Sequence, residues 1–367
     1  MMGVSRDGQA LRLDSSLGMR CRSGLATTNG IALDFAATHP PHVLVFGQGS
    51  AKADVQKAGF LFGGQRVSQQ KVSYLKKASS PEVLLQKLED RGLVVSKCTK
   101  RIALDFLRGV GAYRLKGYWH HLVDASSQRF PSGSSFGQII DRCEFDRELR
   151  AATAAAIDRL EVAIRTAIAD ALSLKHSPHW FLLPGIFKPT RDWGMGHLIR
   201  KIEEEVRRAE GKRFVEHYLA KYDEPYLPPS WAVAECVSFG LWSRTYSILR
   251  DVNDKKAISR RFAIDEPDVF KSWIHSLTVV RNLAAHHGQI LRVKLGVAPA
   301  NYKKAGIKFR DQKSFFATAT VIQYLLRQTR LPNTWVEDLE AIFSKYPSVS
   351  SSELGFPATW RSEPGWS

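Results

Sequence analysis

The sequence is poor in cysteine: four in 367 residues, at Cys21, Cys98, Cys143 and Cys236. None forms a C-x-x-C pair, which excludes the usual zinc knuckles and ribbons. Isolated thiols suit a reducing compartment. No apolar run approaches the ~18 residues of a membrane span. The first 30 residues mix Arg, Asp, Ser and Gly and lack a signal-peptide core. The expected location is therefore the cytoplasm, with no membrane partner. Clusters of carboxylates or of Cys and His are also missing, so no metal site and no cofactor are expected. Strand signal nearly vanishes after residue 71 and no repeat period emerges, which leaves helices as the material of the fold.

Basic residues, by contrast, are abundant. Lys and Arg number 53 against 36 Asp and Glu, a formal charge of +17. Such a surface favours polyanions, nucleic acid first and acidic membrane second. The excess is uneven: residues 71–150 carry 15 basic and 9 acidic side chains, 231–300 carry 10 and 6, and 151–230 are nearly balanced at 12 and 11. The segments flanking the middle of the chain are thus the better candidates for touching phosphate. A generally basic protein with no polyanionic partner has the same composition.

Residues 1–71 form one unit and 72–366 another. The first 70 residues hold 10 of the 26 glycines and little helical periodicity. They read as a weakly ordered extension, such as an overlong gene start would add, with one short strand at His42–Phe46. Gly63-Gly64-Gln65 matches a release-factor tripeptide only by chance. From Ser80 the chain turns helical: Ser80 caps, Pro81 starts and Gly92 stops the first helix. A second helix is expected over about 100–110. Ala112–Trp119 interleaves aromatics with Arg114 and Lys116, which suits base stacking and phosphate binding. The same pattern suits a packed helix with snorkelling cations, the commoner case. A long helix is expected over 136–174, broken near Cys143–Asp146. Others are expected at 192–209, at 230–249 as one piece capped by Ser230, from Asp265 onward, at 312–328 and at 334–345. A polar loop is expected at 296–312.

The most informative stretch is Arg281-Asn282-Leu283-Ala284-Ala285-His286-His287, late in the helix that starts near Asp265. At about 100° per residue, Ala285, Asn282 and His286 fall ~40°, ~100° and ~140° from Arg281. His287 falls near ~240° on the same wheel, pointing away. Trp273, Leu277, Val280 and Ala284 form a separate, apolar stripe. One arc thus carries a permanent cation, an amide and a titratable imidazole, which suits chemistry at a phosphate. An Arg and a His near a helix C-terminus are more often surface residues facing the dipole.

Taken together, the chain resembles the Abi-like family of bacterial abortive-infection proteins, of the AbiD/AbiF type, from about Val72 to Trp366. The matching pieces are Leu88–Leu93, Tyr113–Trp119, Glu144–Arg150, Arg159–Thr166, Val237-Ser238-Phe239-Gly240, Arg281–His287 and Leu354-Gly355-Phe356-Pro357 with Trp360. The resemblance implies an all-α, HEPN-like helical bundle with additional helices. It also implies a metal-independent ribonuclease with R-x-x-x-x-H as its signature. One motif per chain implies a homodimer, and the family leaves room for an RNA or protein antitoxin. One departure stands out. Where the family continues with Arg and then Trp-Asn, this chain has Gly288-Gln289-Ile290-Leu291-Arg292-Val293, and Arg292 is the residue placed to replace the usual cation.

On this reading Arg281, Asn282 and His286 are catalytic, with RNA as substrate. In RNA a 2′-OH can attack the adjacent phosphate while an imidazole moves the proton. Arg281 offsets charge on the phosphoryl oxygens, and Asn282 orients His286 or holds the phosphate. Arg114, Lys116, His287 and Arg292 are candidate substrate contacts, His287 being as well suited to a structural role or a dimer contact. The competing readings are a non-catalytic RNA-binding or toxin-neutralising protein, a DNA-binding regulator, and a partner of a nucleotidyltransferase.

Overall fold

A computed structural model describes residues 78–366; the strand expected at His42–Phe46 and the Gly63–Gln65 tripeptide lie outside the described residues. Within that span the chain is all-α. Helices run at α1 (Pro81–Asp90), α2 (Lys97–Phe106), α3 (Ala112–Trp119), α4 (Phe136–Lys175), α5 (Met195–Arg208), α6 (Arg213–Lys221), α7 (Ser230–Val233), α8 (Phe239–Ile248), α9 (Val252–Arg260), α10 (Pro267–Ala285), α11 (Phe315–Thr329) and α12 (Trp335–Lys345). A π turn joins α2 to α3. No strand forms among the described residues, only isolated bridges such as Val94 to Ser135. No described helix is long and apolar enough to cross a membrane.

The axis of the fold is α4, 40 residues long and therefore ~60 Å at 1.5 Å per residue. It starts on a capping box: Ser135 Oγ accepts from the Gln138 amide, and the Gln138 side chain accepts from the Ser135 amide. The helices α10, α11 and α12 pack along it, and α2, α3 and α9 also touch it. The break expected near Cys143–Asp146 does not occur. Arg142, Asp146 and Arg150, in and beside that segment, are buried and paired within the core. Spacings of four place them on one face, where Asp146 pairs with Arg150 and Arg142 with Glu353.

Other boundaries moved for local reasons. The expected single helix over 230–249 is two, because Ser238 adopts an extended conformation (φ −66°, ψ 152°) and starts α8. Ser230 is not a cap; it lies inside the short α7, fully buried, and its hydroxyl shares a 2.7 Å hydrogen bond with Ser173 of α4. The caps Ser80, Ser96 and Ser314 accept amide hydrogen bonds as their residue type suggests.

The polar stretch 296–312 is a loop with one 3₁₀ turn, anchored by core aromatics. Trp273 of α10 donates its indole N–H to the Ala300 carbonyl at 2.8 Å, and Tyr302 donates to the Ala263 carbonyl at 3.1 Å. The C-terminal Leu354–Pro357 and Trp360 stretch is packing material: Phe356, Trp360 and Trp366 cluster on Phe316 and Phe343. Gly355 sits at φ +88°, and a Cβ there would stand 2.6 Å from Ser314 Cβ.

Candidate functional site at the end of α10

The apolar stripe of α10 is as expected: Trp273, Leu277, Val280 and Ala284 are all buried. The helix stops at Ala285, inside the R-x-x-x-x-H motif. His286 still donates its amide to the Asn282 carbonyl at 2.9 Å, so it stands one turn beyond Asn282 as the wheel placed it. His287 does not continue the wheel. It turns into the left-handed region (φ 59°), and Gly288 donates to the Leu283 carbonyl at 2.7 Å. This is a Schellman-type stop with histidine where glycine is usual. Gly288 beside it leaves room for Leu283, whose side chain would have to shift for a Cβ that would lie 2.2 Å from its Cδ1.

The chain leaving the motif is bolted to the core through Asp146, which is fully buried. Its Oδ1 accepts the amides of Ile290 (2.9 Å) and Leu291 (2.7 Å); its Oδ2 accepts from Tyr118 (2.8 Å) and pairs with Arg150. Burial and the neighbouring carboxylate push the Tyr118 phenol well above its usual range. Gln289 donates to the Gly117 carbonyl at 3.2 Å, and the missing side chain of Gly117 makes room, since a Cβ would meet Gln289 Oε1 at 2.2 Å. The glycine in the aromatic-basic stretch thus lets α3 lie beside the segment that follows the motif.

Arg281 is positioned from α4. Its Nε lies 3.3 Å from Glu161 Oε2, with the arginine side chain 42 % exposed and the glutamate 6 %. The other oxygen of Glu161 pairs with Arg165, whose guanidinium also donates to the Ala234 carbonyl at 3.3 Å. One nearly buried carboxylate therefore holds two arginines. The terminal nitrogens of Arg281 have no hydrogen bond to another described residue. Asn282, His286 and His287 are exposed, and neither imidazole has a hydrogen-bond or ring partner among the described residues. Glu161 and Arg165 were not singled out as site residues from sequence. Their signal was an acid–base pair four apart on a helix, in the same Arg159–Thr166 stretch that carries part of the family resemblance.

The remaining candidates lie at other places. In α3, Leu115, Tyr118 and Trp119 are buried, so the packing reading of that stretch holds for them. Lys116 is exposed, Arg114 is half-buried and Tyr113 is 95 % exposed. Arg292, in the left-handed region, pairs with Glu353 at 3.0 Å, and the same carboxylate binds the buried Arg142. Burial alone would raise the Glu353 carboxyl, but hydrogen bonds from Arg142 and Arg292 outweigh it and hold it low.

His121 sits against this arginine cluster with both ring nitrogens buried and unpartnered. Burial lowers its pKa to about 4, helped by the charges of Arg142, Arg292 and His120 and opposed by Glu353. An unfolded histidine titrates near 6.5. As pH falls, the unfolded chain therefore takes up this proton first. The stability held above pH ~6.5 is lost down to about 4, on the order of 2 kcal/mol after allowance for solvent screening. His121→Phe should flatten that part of a melting-temperature profile. Parallel profiles for the two proteins would remove His121 as the cause.

Among the described residues no group of three or more His, Cys, Asp or Glu side chains is placed to hold a metal. Cys143 is buried, and burial lifts its thiol to about 11, so it is an inert core group.

The chain belongs to the Abi-like protein family, whose sequence profile matches residues 105–292. That span runs from the end of α2 through Arg292. It includes the Glu161–Arg165 pair, the Asp146 anchor and the whole Arg281–His287 motif. The Leu88–Leu93 and Leu354–Pro357 stretches lie outside it. No curated protein and no solved structure matches the chain.

Proposed function

We propose that this chain is a metal-independent endoribonuclease of abortive infection, with Arg281, Asn282 and His286 as its reacting set. The observation that supports this most is the treatment of the motif's two ends. Arg281 is paired at its Nε with a nearly buried carboxylate, while its side chain stays 42 % exposed. One turn on, His286 is exposed and engaged with nothing among the described residues. A fixed cation beside an unoccupied imidazole is what a scissile phosphate needs.

In the proposed reaction the 2′-oxygen attacks the adjacent phosphorus and gives its proton to an imidazole. The bond from phosphorus to the 5′-oxygen breaks, and that oxygen takes up a proton. The products are a 2′,3′-cyclic phosphate and a 5′-hydroxyl. Arg281 stabilises the charge gathering on the phosphoryl oxygens. Base and acid on opposite sides call for two imidazoles, and one motif per chain supplies them in a homodimer with the two His286 side chains facing each other.

The test is the purified full chain with labelled single-stranded RNA in EDTA, followed by end-group analysis and sedimentation at micromolar concentration. Cyclic-phosphate ends and a dimer are expected. Activity that vanishes in EDTA and returns with Mg²⁺ would overturn the mechanism, and a strict monomer with full activity would overturn the dimer. RNA binding without any cleavage would favour the non-catalytic reading of the same fold.

A further inference from the structure

Between α8 and α10 the surface opens into two adjoining clefts, of about 420 and about 460 Å³. Each is of the size of a small-ligand site, roughly 300–1,000 Å³. They share Ser243, Arg244 and His275 and together form one trough. Its α10 wall includes Asp268, Lys271, His275, Val279 and Asn282. These are spaced by threes and fours, so they make one face of the helix, ~21 Å long at 1.5 Å per residue. The next step along that face is His286. The trough therefore runs along the side of α10 that ends at the candidate reacting set.

Its chemistry is that of a strand-binding track. Arg244 is exposed and forms no ion pair with a described carboxylate. Its guanidinium lies over the Trp193 ring at 5.0 Å, and on α5 His197 stacks on Trp193 at 5.6 Å and 26°. Arg244, where the two clefts meet, and Trp193 both line the trough, and planar side chains of this kind stack bases without regard to sequence. His275 is held toward its neutral form by burial and by the charge of Arg244, so it offers the trough both a hydrogen-bond donor and an acceptor. The acidic members are already engaged: Glu205 with Arg208 at 2.9 Å, Asp268 with Lys271 at 3.8 Å. Arg244 is left as the charge available to a phosphate.

We infer that the α8–α10 trough binds single-stranded RNA, with Arg244 and Trp193 holding a nucleotide and the strand running along α10 toward His286. The inference rests on the reading of this chain as an RNA-acting protein. It goes beyond that reading in naming a binding surface that extends from the motif, at Asn282, along α8 and α10.

The experiment uses the full chain and a fluorescent 2′-O-methyl oligouridylate of twelve nucleotides, which has no 2′-OH to attack and is read by anisotropy across a salt series. Arg244→Ala should weaken binding about tenfold, the loss of one stacked base or more. It should also reduce the slope of log affinity against log salt by about 0.7, the loss of one phosphate contact. Arg244→Lys should restore the slope but not the full affinity, because a point charge replaces the phosphate contact and not the planar stack. Trp193→Phe, which keeps a ring in place, should fall between wild type and Arg244→Ala.

Unchanged affinity and slope in Arg244→Ala would overturn the track even if the wild type cleaves RNA. An altered sedimentation with unchanged RNA affinity would overturn it in favour of a contact between two copies of the chain. Cleavage failing in the wild type while Arg244→Ala still loses oligouridylate would leave the track standing and remove only the catalytic assignment.

Discussion

His286→Ala should lose RNA cleavage by ~10²–10⁴-fold, the usual contribution of a positioned proton-transfer group, while melting with the wild type. The separation of the two readouts follows from the position. The imidazole is exposed and bonded to no described neighbour, so its removal orphans nothing. Arg281→Lys should be impaired as well, since an ammonium replaces the planar fork and reaches Glu161 and phosphate differently. Folding should survive that change, because Glu161 keeps its pair with Arg165. His287→Gly is the informative control. Glycine fits the left-handed position that His287 occupies at φ 59°, so a merely structural His287 predicts retained cleavage and slightly raised stability. Undiminished cleavage by His286→Ala would refute the residue assignment outright.

Much of the fold could be read from residues with a single physical meaning. Ser80 followed by Pro81, the apolar spacing of α10 and the absence of strand patterns each pointed to the structure found. Errors came where burial reversed the meaning of a polar residue. The break expected near Cys143–Asp146 falls among Arg142, Asp146 and Arg150, charged side chains of a kind that usually faces water. In this fold they face one another or Glu353, and the helix runs straight through. Ser238 failed in the opposite sense. Serine is tolerated inside a helix, and nothing local announces that its backbone will be extended and start a new one.

The candidate site was legible in type and incomplete in arrangement. The spacing of Arg281, Asn282 and His286 placed them on one arc, and the backbone keeps that relation through the bond from the His286 amide to the Asn282 carbonyl. The spacing could not supply Glu161, which is 120 positions earlier in the sequence and acts through a contact between two helices. Nor could a helical wheel show that the helix ends at Ala285, because the stop depends on His287 taking a conformation histidine seldom adopts. The trough beside α8 was invisible for a related reason. Trp193, Arg244 and His275 come from three separated segments, and only the tertiary packing puts them on one surface.

Asp146→Ala should be the most damaging single change to stability. Four groups converge on this carboxylate: the Tyr118 hydroxyl, the Arg150 guanidinium and the amides of Ile290 and Leu291. Alanine leaves Arg150 buried without its counter-charge, a loss of about 3–5 kcal/mol, and strands two amides at a further ~1 kcal/mol or more each where water cannot reach them. A midpoint lowered by roughly 10–28 °C is expected at ~2–4 °C per kcal/mol. Asp146→Asn should fall between, because its amide oxygen can still accept from Ile290 and Leu291 while the charge facing Arg150 is gone. The effect should be directional within the molecule. Below the midpoint of Asp146→Ala, hydrogen exchange should quicken first at the Ile290 and Leu291 amides, four and five residues beyond His286, while the central turns of α4 stay protected. A midpoint within 2 °C of wild type, or uniform exchange across the chain, would show that the segment after the motif is held by something other than Asp146.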